Sequence, residues 1–309
     1  MNLPNQRTVY LNGKFVPESE AVIAFRDRGM KYGDAVFDTT RTFGHRIFKL
    51  QEHLQRFYRS LRYVRIDPGL SPAEFTRVTE DVLSRNLPLL AKDDDYWVTQ
   101  RVTRGLDPAD GEAWPEFRGP TVIVECLPLP LKQRARLYRD GLDVITPATR
   151  RTAPDAISPR AKTHNYLNMV LADLEVAAQD PRALAVLLDR DGNLAEGKGS
   201  NIFTVANGEI FTPRERFVLP GVSRATVMDL AREAGMAVTE KDIDIFDAVN
   251  ADEVFITSTS FCICPVRSVN GALIGSGKVP GPVTKRLMDA YGKLGGFGWV
   301  GQYRSRIAA

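Results

Sequence analysis

The sequence is poor in the residues that build metal centres and disulfide frameworks. Its 309 residues include three cysteines and three histidines, and the histidines show no metal-ligand spacing. Cys262 and Cys264 are two residues apart, which places both thiols on one side of a strand and does not match the Cys-x-x-Cys spacing of zinc sites. We therefore expect no metal ion. We expect buried free thiols at Cys126, Cys262 and Cys264.

Long apolar runs and an excess of one charge are also missing. No window approaches the ~18 uninterrupted apolar residues that cross a bilayer, and the polar N-terminus lacks the apolar centre of a signal peptide. The 41 basic residues nearly balance the 38 acidic ones, and the basic clusters are short and lack interleaved aromatic residues. We expect a cytoplasmic protein that binds neither membrane nor nucleic acid.

The composition that remains, 43% hydrophobic and 26% charged, is that of a soluble globular protein long enough for two domains. In the first part, Asn12-Gly13 between two short apolar runs predicts a β-hairpin, and Gly44-His45 predicts a second one. Helices are predicted over residues 51–64 and 72–86, followed by strands in DYWVTQRVTRG and TVIVECLPL.

Short strands dominate the part after a Pro-rich, charged stretch at residues 128–139. The predicted elements are strand LDVITPAT, a helix after Lys162, strand ALAVLLD, hairpin NIFTVANGEIFT, helix SRATVMDLAREAG, strands EVFITSTS and CPVRSVNG, and a last helix GPVTKRLMDAYGKL. Many short strands with few helices favour barrel-like packing over a doubly wound parallel sheet. We predict an α+β fold with a small α/β domain at 1–127, an interdomain linker at 128–139 and a large domain with a barrel-like β core at 140–309.

Two glycine-rich segments have the outline of nucleotide-binding loops without their context. Gly296, Gly298 and Gly301 match Gly-x-Gly-x-x-Gly, but they follow a helix and no helix is predicted after them, whereas a dinucleotide site needs strand, glycines and helix in that order. In GALIGSGKVPG, Ala272 stands in place of the first glycine of a phosphate loop, and Val279 in place of its Ser or Thr. We predict no nucleotide site at either segment.

Several separate residues are suited to holding a phosphorylated ring. Val222 and Ser223 begin a helix after a Pro-Gly turn, where backbone N–H groups and the helix dipole favour an anion, although Ser223 would alternatively be a plain N-cap. Arg56 lies on a helix with a clear apolar face, and its alternative role is a surface salt bridge. Glu196 comes before two glycines that let backbone approach a ligand, or it is an exposed acid in a β-turn. Lys162, ahead of a helix, is either a solvated charge or a chemical handle.

Taken together and in their order, these segments resemble one enzyme family. The segments are YGDAVFDTTR, EHLQRFYRSL, KTHNYLNMVLADLE, DGNLAEGKGSNIFTV, VLPGVSRATV, ADEVFITSTS, CPVRSVNG and GPVTKRLMDAY. They are similar to the class IV pyridoxal-phosphate aminotransferases, which include branched-chain, D-amino acid and (R)-amine aminotransferases and aminodeoxychorismate lyase. The resemblance implies fold type IV and a homodimer with each cofactor site near the subunit interface.

The resemblance also implies roles for individual residues. Lys162 would link covalently to pyridoxal 5'-phosphate and serve as the base, and Tyr166, one turn on if the helix begins early, would hydrogen-bond the phenolic oxygen of the ring. Glu196 would pair with the pyridine nitrogen and keep it protonated. The implied cofactor-binding residues are Arg56, Lys162, Tyr166, Glu196, Leu219, Val222, Ser223 and Thr259.

The substrate side is less decisive. Thr39 stands where branched-chain enzymes usually have glycine and is more like the lyase subgroup. Ala109 and Gly111 occupy the places of the Arg-x-His with which D-amino acid enzymes bind the carboxylate, although Arg101 or Arg104 could serve instead or could form structural ion pairs. The implied substrate-binding residues are Tyr32, Phe37, Thr39, Arg41, Arg101, Arg104 and Ser260.

The leading prediction is a ping-pong aminotransferase that moves an amino group from a hydrophobic or branched-chain L-amino acid to 2-oxoglutarate. An (R)-amine or D-amino acid transaminase follows closely, and aminodeoxychorismate lyase is third. A cofactor-binding interaction protein without catalysis would be expected to lack the lysine or the ring-nitrogen carboxylate. Both are present as Lys162 and Glu196. The role of His164 is left open, with packing favoured over catalysis.

Overall fold

The computed structural model describes residues 6–106 and 119–307, so the predictions made at Ala109 and Gly111 lie outside the described residues. The chain divides into two compact units. The first unit comprises Met1–Leu129 and Ala161–Asn165, and the second comprises Pro130–Arg160 and Tyr166–Ala309. The proposed linker at 128–139 therefore falls mostly in the second unit, where it contains two short helices.

The first unit is built on one antiparallel sheet. Its strands are β1 (Thr8–Leu11), β2 (Lys14–Pro17), β3 (Ala35–Phe43), β4 (Arg46–Ile47), β5 (Tyr96–Thr103) and β6 (Thr121–Pro128), in the order β2-β1-β6-β5-β3-β4. Its helices are α1 (Arg28–Tyr32), α2 (Leu50–Val64) and α3 (Pro72–Asn86). The predicted hairpin turn at Asn12-Gly13 is confirmed, with both residues at positive φ.

One face of this sheet holds the core of the first unit. Val36 of β3 and Val98 of β5 belong to the same buried cluster as Leu54 and Phe57 of α2 and Phe75 of α3. Because successive strand residues point to opposite faces, Phe37, Thr39 and Arg41 of β3 lie on the other face. The helices form where expected because α2 repeats leucine and phenylalanine at helical spacing and Ser71 and Glu74 form a capping box at the start of α3.

Residues 161–165 form a bent segment that pairs with β3 through one isolated bridge. The Phe37 N–H donates to the Lys162 carbonyl (3.1 Å), and the His164 N–H donates to the Ala35 carbonyl (2.9 Å). Val36 and Thr163 form the antiparallel bridge between these two bonds. Lys162 is therefore in a loop that is hydrogen-bonded to β3. The next helix, α6, begins at Leu167, so Tyr166 does not follow Lys162 by one helical turn and that expectation is wrong.

The second unit has a barrel-like core, as predicted. Its strands are β7 (Leu142–Ile145), β8 (Leu184–Leu188), β9 (Leu194–Gly197), β10 (Ser200–Ala206), β11 (Glu209–Thr212), β12 (Val238–Glu240), β13 (Glu253–Ser258), β14 (Cys262–Val269) and β15 (Ala272–Leu273). β9 pairs with both β8 and β10, which closes the ring β10-β13-β14-β7-β8-β9. Because closure removes the sheet edges of these strands, many short strands can form one core.

The helices of the second unit include several short ones that the sequence did not predict. They are α4 (Leu131–Arg134), α5 (Leu137–Asp140), α6 (Leu167–Ala177), α7 (Val222–Glu233), α8 (Ile245–Val249), α9 (Pro282–Gly295) and α10 (Trp299–Arg304). The statement that no helix follows Gly296 and Gly298 is wrong, because α10 begins directly after Gly298. A dinucleotide site is still excluded there, since these glycines follow the helix α9 and not a strand.

The cysteines and the helices bear on two expectations drawn from the composition. Cys126, Cys262 and Cys264 are free and buried, as expected. Burial raises the pKa of the Cys126 thiol to about 12, which keeps it protonated and unreactive. Among the residues that the structure describes, none of the helices has the length and apolar character required to cross a bilayer.

Candidate functional site

The first candidate residue, Lys162, is a buried amine. Lys162 is in the segment bridged to β3, where the residue is 9% exposed and its backbone N–H donates to Ser60 Oγ (3.0 Å). Its Nζ lies 4.5 Å from the centre of the Phe37 ring. The alternative of a solvated surface charge is therefore wrong. A lysine is rarely buried without a purpose, since desolvating an ammonium group is costly.

Arg101 lies on the same face of the sheet, directly across from Phe37 on β5. Its Nη1 donates to His164 Nε2 (3.2 Å) and its Nη2 donates to Glu125 Oε1 (3.0 Å). The His164 ring packs edge-on against Phe37, with ring centres 5.3 Å apart. Burial and the nearby charges of Arg101 and Lys162 lower the pKa of His164 to about 4, so the imidazole is neutral near pH 7.

Arg56 is held in a buried ion-pair network on α2. Its Nε donates to Asp38 Oδ2 (2.8 Å) and its Nη2 donates to Asp38 Oδ1 (2.6 Å). His53 Nδ1 also lies 2.8 Å from Asp38 Oδ1 and donates to it. All three residues are buried, so the alternative of a surface salt bridge is wrong. Burial alone would raise the pKa of Asp38, but the charge of Arg56 and the hydrogen bonds from His53 and Arg56 lower it below its ordinary value.

Two other predicted arginines have contacts of a structural kind. Arg104 donates from Nε (2.7 Å) and Nη2 (3.0 Å) to Asp34, and to the carbonyls of Val64 and Arg65 at the end of α2. Arg41 is 1% exposed, and its guanidinium lies over the Phe43 ring at 4.2 Å. These contacts favour structural roles, so Arg101 is the better candidate for binding a substrate carboxylate.

The remaining predicted substrate residues of the first unit differ in their surroundings. Thr39 and Thr99 are cross-strand partners whose hydroxyl oxygens lie 3.0 Å apart. Thr39 thus adds a hydroxyl to the sheet face that carries Phe37. Tyr32 is on α1 and is 62% exposed, and the cationic groups of Arg28 and Lys31 lie over its ring.

In the second unit, Glu196 is a buried carboxylate on β9. It is 3% exposed, so the alternative of an exposed acid in a turn is wrong. Its Oε1 accepts a hydrogen bond from Arg151 Nε (2.8 Å), and its Oε2 accepts one from the backbone N–H of Leu219 (3.0 Å). Asn201 Nδ2 donates to the Leu219 carbonyl (3.0 Å), which fixes the loop that carries Leu219. A buried carboxyl group held by such donors suits a protonated ring nitrogen as a further partner.

The start of α7 suits an anion. Gly221 occupies the N-cap, and no side chain caps this end of the helix. Ser223 is inside the helix and its hydroxyl lies 3.2 Å from that of Tyr291, so the plain N-cap alternative is wrong. A β-carbon at Gly221 would collide with Asn201 Oδ1, which explains the glycine. The backbone N–H groups of the first turn, including those of Val222 and Ser223, carry the positive end of the helix dipole.

One buried hydroxyl near this region was not predicted from the sequence. Thr257 Oγ1 is buried and has no hydrogen-bond partner among residues 6–106 and 119–307. Thr257 is paired with Asn201 across β13 and β10, so both side chains are on the same face. Thr259 and Ser260 follow in the turn after β13, where Ser260 Oγ accepts a hydrogen bond from Arg134. An orphaned buried hydroxyl is uncommon and indicates a bound partner.

These groups match the chemistry of pyridoxal phosphate. Taken by itself, the first unit holds a buried amine and a buried guanidinium, and the second unit holds a buried carboxyl group, a helix N-terminus without a side-chain cap, and the Thr257 hydroxyl without a partner among the described residues. An aldehyde needs the amine, a pyridinium nitrogen needs the carboxylate, and a phosphate needs the helix start and the arginine. Tyr166 is at the N-terminal end of α6 and packs on the cluster around Met169.

The chain belongs to the class IV aminotransferase family, whose model matches residues 35–269. It is accordingly a pyridoxal-phosphate-dependent transaminase of fold type IV. A Methanocaldococcus jannaschii protein, provisionally named a branched-chain-amino-acid aminotransferase, is 37% identical over 287 residues, which cover 92% of this chain and 94% of that protein. The D-alanine aminotransferase of Bacillus licheniformis is 32% identical over 283 residues, covering 91% and 95% of the two chains.

A solved structure extends the likeness to the whole fold. The branched-chain amino acid aminotransferase of Thermobaculum terrenum, in its pyridoxal-phosphate form, superposes with a TM-score of 0.81 over 97% of each chain at 26% identity. The predicted cofactor and fold class are thereby confirmed. The assignment of individual residues to that cofactor stays a prediction of the motifs and contacts described above.

Proposed function

We propose that the protein transfers the amino group of a hydrophobic or branched-chain L-amino acid to 2-oxoglutarate by ping-pong chemistry. The observation that carries this proposal is the placement of Arg101 and Lys162 across the Phe37 ring, on one sheet face. An arginine beside the reactive amine suits a substrate that has a carboxylate next to its amino group. The relatives named for branched-chain amino acids support the choice of donor.

The roles proposed on the cofactor side come from the motifs and are supported by the burial and contacts of these residues. Lys162 Nζ would hold the cofactor covalently and, as a free amine, would move the proton of the substrate α-carbon. Glu196 would pair with the ring nitrogen, and Leu219 would lie against the ring. Arg56, Thr259 and the backbone of Val222 and Ser223 would hold the phosphate, and Tyr166 would hydrogen-bond the phenolic oxygen. Bound pyridoxal phosphate supplies the electron sink that lets the α-proton leave.

Two further properties are part of the proposal. A homodimer is supported by the exposed apolar side chains around α1, where Phe25 is 72%, Met30 69% and Tyr32 62% exposed. Light scattering of the purified holoenzyme would report about twice the chain mass. A cytoplasmic location stays a prediction of the sequence.

A second candidate is transfer from a D-amino acid, which the 32% identity to a D-alanine aminotransferase favours. A donor panel separates the two functions. With 2-oxoglutarate as acceptor and glutamate formation as the readout, we expect L-leucine to exceed both D-alanine and (R)-1-phenylethylamine in kcat/KM. If D-alanine were the best donor, the D-amino acid function would replace the proposed one. Initial rates at several concentrations of both substrates should give the parallel double-reciprocal lines of ping-pong kinetics.

A further inference from the structure

The strand pairing around Lys162 brings a histidine and an arginine together. In the antiparallel pairing of residues 161–165 with β3, Lys162 lies opposite Phe37, and His164 lies opposite Ala35. All four side chains are on one face of the sheet. Arg101 is opposite Phe37 on the other neighbouring strand. The small side chain of Ala35 leaves room for the His164 ring, which therefore reaches both Phe37 and the guanidinium of Arg101.

The hydrogen bond between Arg101 and His164 has one possible polarity. A guanidinium can donate and cannot accept, so His164 Nε2 is the acceptor and the ring proton must be on Nδ1. The ring is thus neutral in this arrangement. Burial and the charges of Arg101 and Lys162 favour that neutral form, against a smaller opposing effect of Asp27. A protonated ring would present a third cation to this face and would break the bond.

The hydrogen bonds to Glu125 and His164 fix the Arg101 guanidinium and leave some of its N–H donors available. Glu125 binds Nη2 and His164 binds Nη1, whereas a guanidinium has five N–H donors. The remaining donors can bind a carboxylate. Glu125 already places one negative charge next to Arg101. A second carboxylate at position 164 would neutralise the face and repel an anionic substrate, while a neutral imidazole orients Arg101 and leaves its attraction for an anion intact.

We propose that His164 is a positioning residue, which orients Arg101 as the receptor for the substrate carboxylate and so selects amino acids and keto acids over amines without a carboxylate. This inference rests on the proposed function, because it gives Arg101 the carboxylate. His164 acts through Arg101 and contacts no reacting atom. Residues of packing type at 164 would fill the space beside Phe37 but would leave Arg101 with one of its two acceptors.

The test compares three substitutions in the holoenzyme. His164→Gln keeps an acceptor near the position of Nε2, His164→Leu keeps bulk without an acceptor, and His164→Glu adds the second carboxylate. We expect His164→Leu to raise the KM for L-leucine about tenfold, as for the loss of one hydrogen bond to a charged group, with kcat changed less than about twofold. His164→Gln should stay within about threefold of wild type, and His164→Glu should raise KM more than His164→Leu.

A binding measurement separates positioning from packing. By calorimetry, the Kd of 4-methylpentanoate should rise about tenfold in His164→Leu, while the Kd of the uncharged 4-methylpentanamide should not change. Equal weakening of both ligands, or an unchanged KM and Kd in His164→Leu, would overturn the proposal. If wild-type enzyme transaminates no amino acid of the donor panel, the proposed function fails, whereas the pair of calorimetric ligands still decides the role of His164.

Discussion

The two units hold their candidate functional groups in different ways. In the first unit, charged side chains are fixed by other charged or polar side chains, as in the Asp38–His53–Arg56 network and the contacts of Arg101. In the second unit, backbone groups provide more of these contacts. The N–H of Leu219 donates to Glu196, and the start of α7 carries no side-chain cap. The first unit should therefore respond most to changes of charge and pH, and the second most to changes of backbone space.

The largest effect is expected at Lys162. Lys162→Ala should lower transaminase activity by about 10³-fold or more, because both the covalent attachment and the proton transfer depend on Nζ. It should also remove the yellow absorbance of the bound cofactor. Lys14→Ala, at an exposed lysine on β2, is the control for the loss of one positive charge and should leave both readings unchanged. Activity near wild type in Lys162→Ala would contradict the assignment.

Breaking the buried network of the first unit should cost stability. Asp38→Asn removes the buried carboxylate that binds the Arg56 guanidinium, so the free energy of unfolding should fall by about 3–5 kcal/mol in urea titrations. The exposed pair of Arg139 and Asp140 provides the matched control, since Asp140→Asn should change stability by less than about 1 kcal/mol. Equal effects of the two substitutions would show that the buried pair has no special role.

The stability contributed by the Asp38–His53–Arg56 network should change with pH in a defined direction. Because the pKa of Asp38 is lowered in the folded protein, its contribution to stability is present above the pKa of the unfolded carboxyl and is lost as the pH falls below it. The stability of Asp38→Asn should therefore depend less on pH in the acid range than that of wild type.

The corresponding substitution in the second unit changes the space around the backbone and leaves the charge unaltered. Gly221→Ala places a methyl group against Asn201 Oδ1, which disturbs the hydrogen bond from Asn201 to the Leu219 carbonyl. We expect a loss of about 1–3 kcal/mol in the free energy of unfolding and weaker retention of the cofactor on dialysis. A β-carbon at Gly199 meets no atom within 4 Å, so Gly199→Ala is the control and should be close to neutral. Gly221→Ala with wild-type stability and cofactor retention would show that Asn201 can move freely.

Local sequence patterns predicted secondary-structure elements better than they predicted contacts between separate segments. The Asn12-Gly13 turn and helix α3 were predicted because each depends on residues close in sequence. The pairing of Lys162 with β3 was missed, since it joins segments more than a hundred residues apart and leaves no periodic signal. The partner of Arg56 was missed as well, because Asp38 is 18 residues away and no local pattern links the two. Helix α10 was missed because the surrounding glycines indicate turns.

For the candidate site, residue types were predictable and their environments were not. The motifs indicated Lys162, Glu196 and the start of α7, but burial decided between their alternatives. Arg104 and Arg101 looked equivalent in sequence and differ in structure, because Asp34 and the end of α2 take the donors of Arg104. Thr257 carried no signal, since an unpartnered hydroxyl is defined by what surrounds it.

The smallest effect, and the sharpest test of the difference between the units, is the pH dependence carried by His164. Its pKa is about 4 in the folded protein and its ordinary value is 6.5, so the unfolded chain takes up a proton between these values while the folded chain does not. Wild-type stability should therefore fall from pH 6.5 towards pH 4, by at most about 1.4 kcal/mol per pH unit from this group. His164→Gln cannot titrate, so its urea midpoint should fall less between pH 6.5 and 4.5. If the urea midpoints of the two proteins changed in parallel with pH, burial and the charges of Arg101 and Lys162 would not hold His164 neutral. The side-chain contacts of the first unit would then be no more sensitive to pH than the backbone contacts of the second.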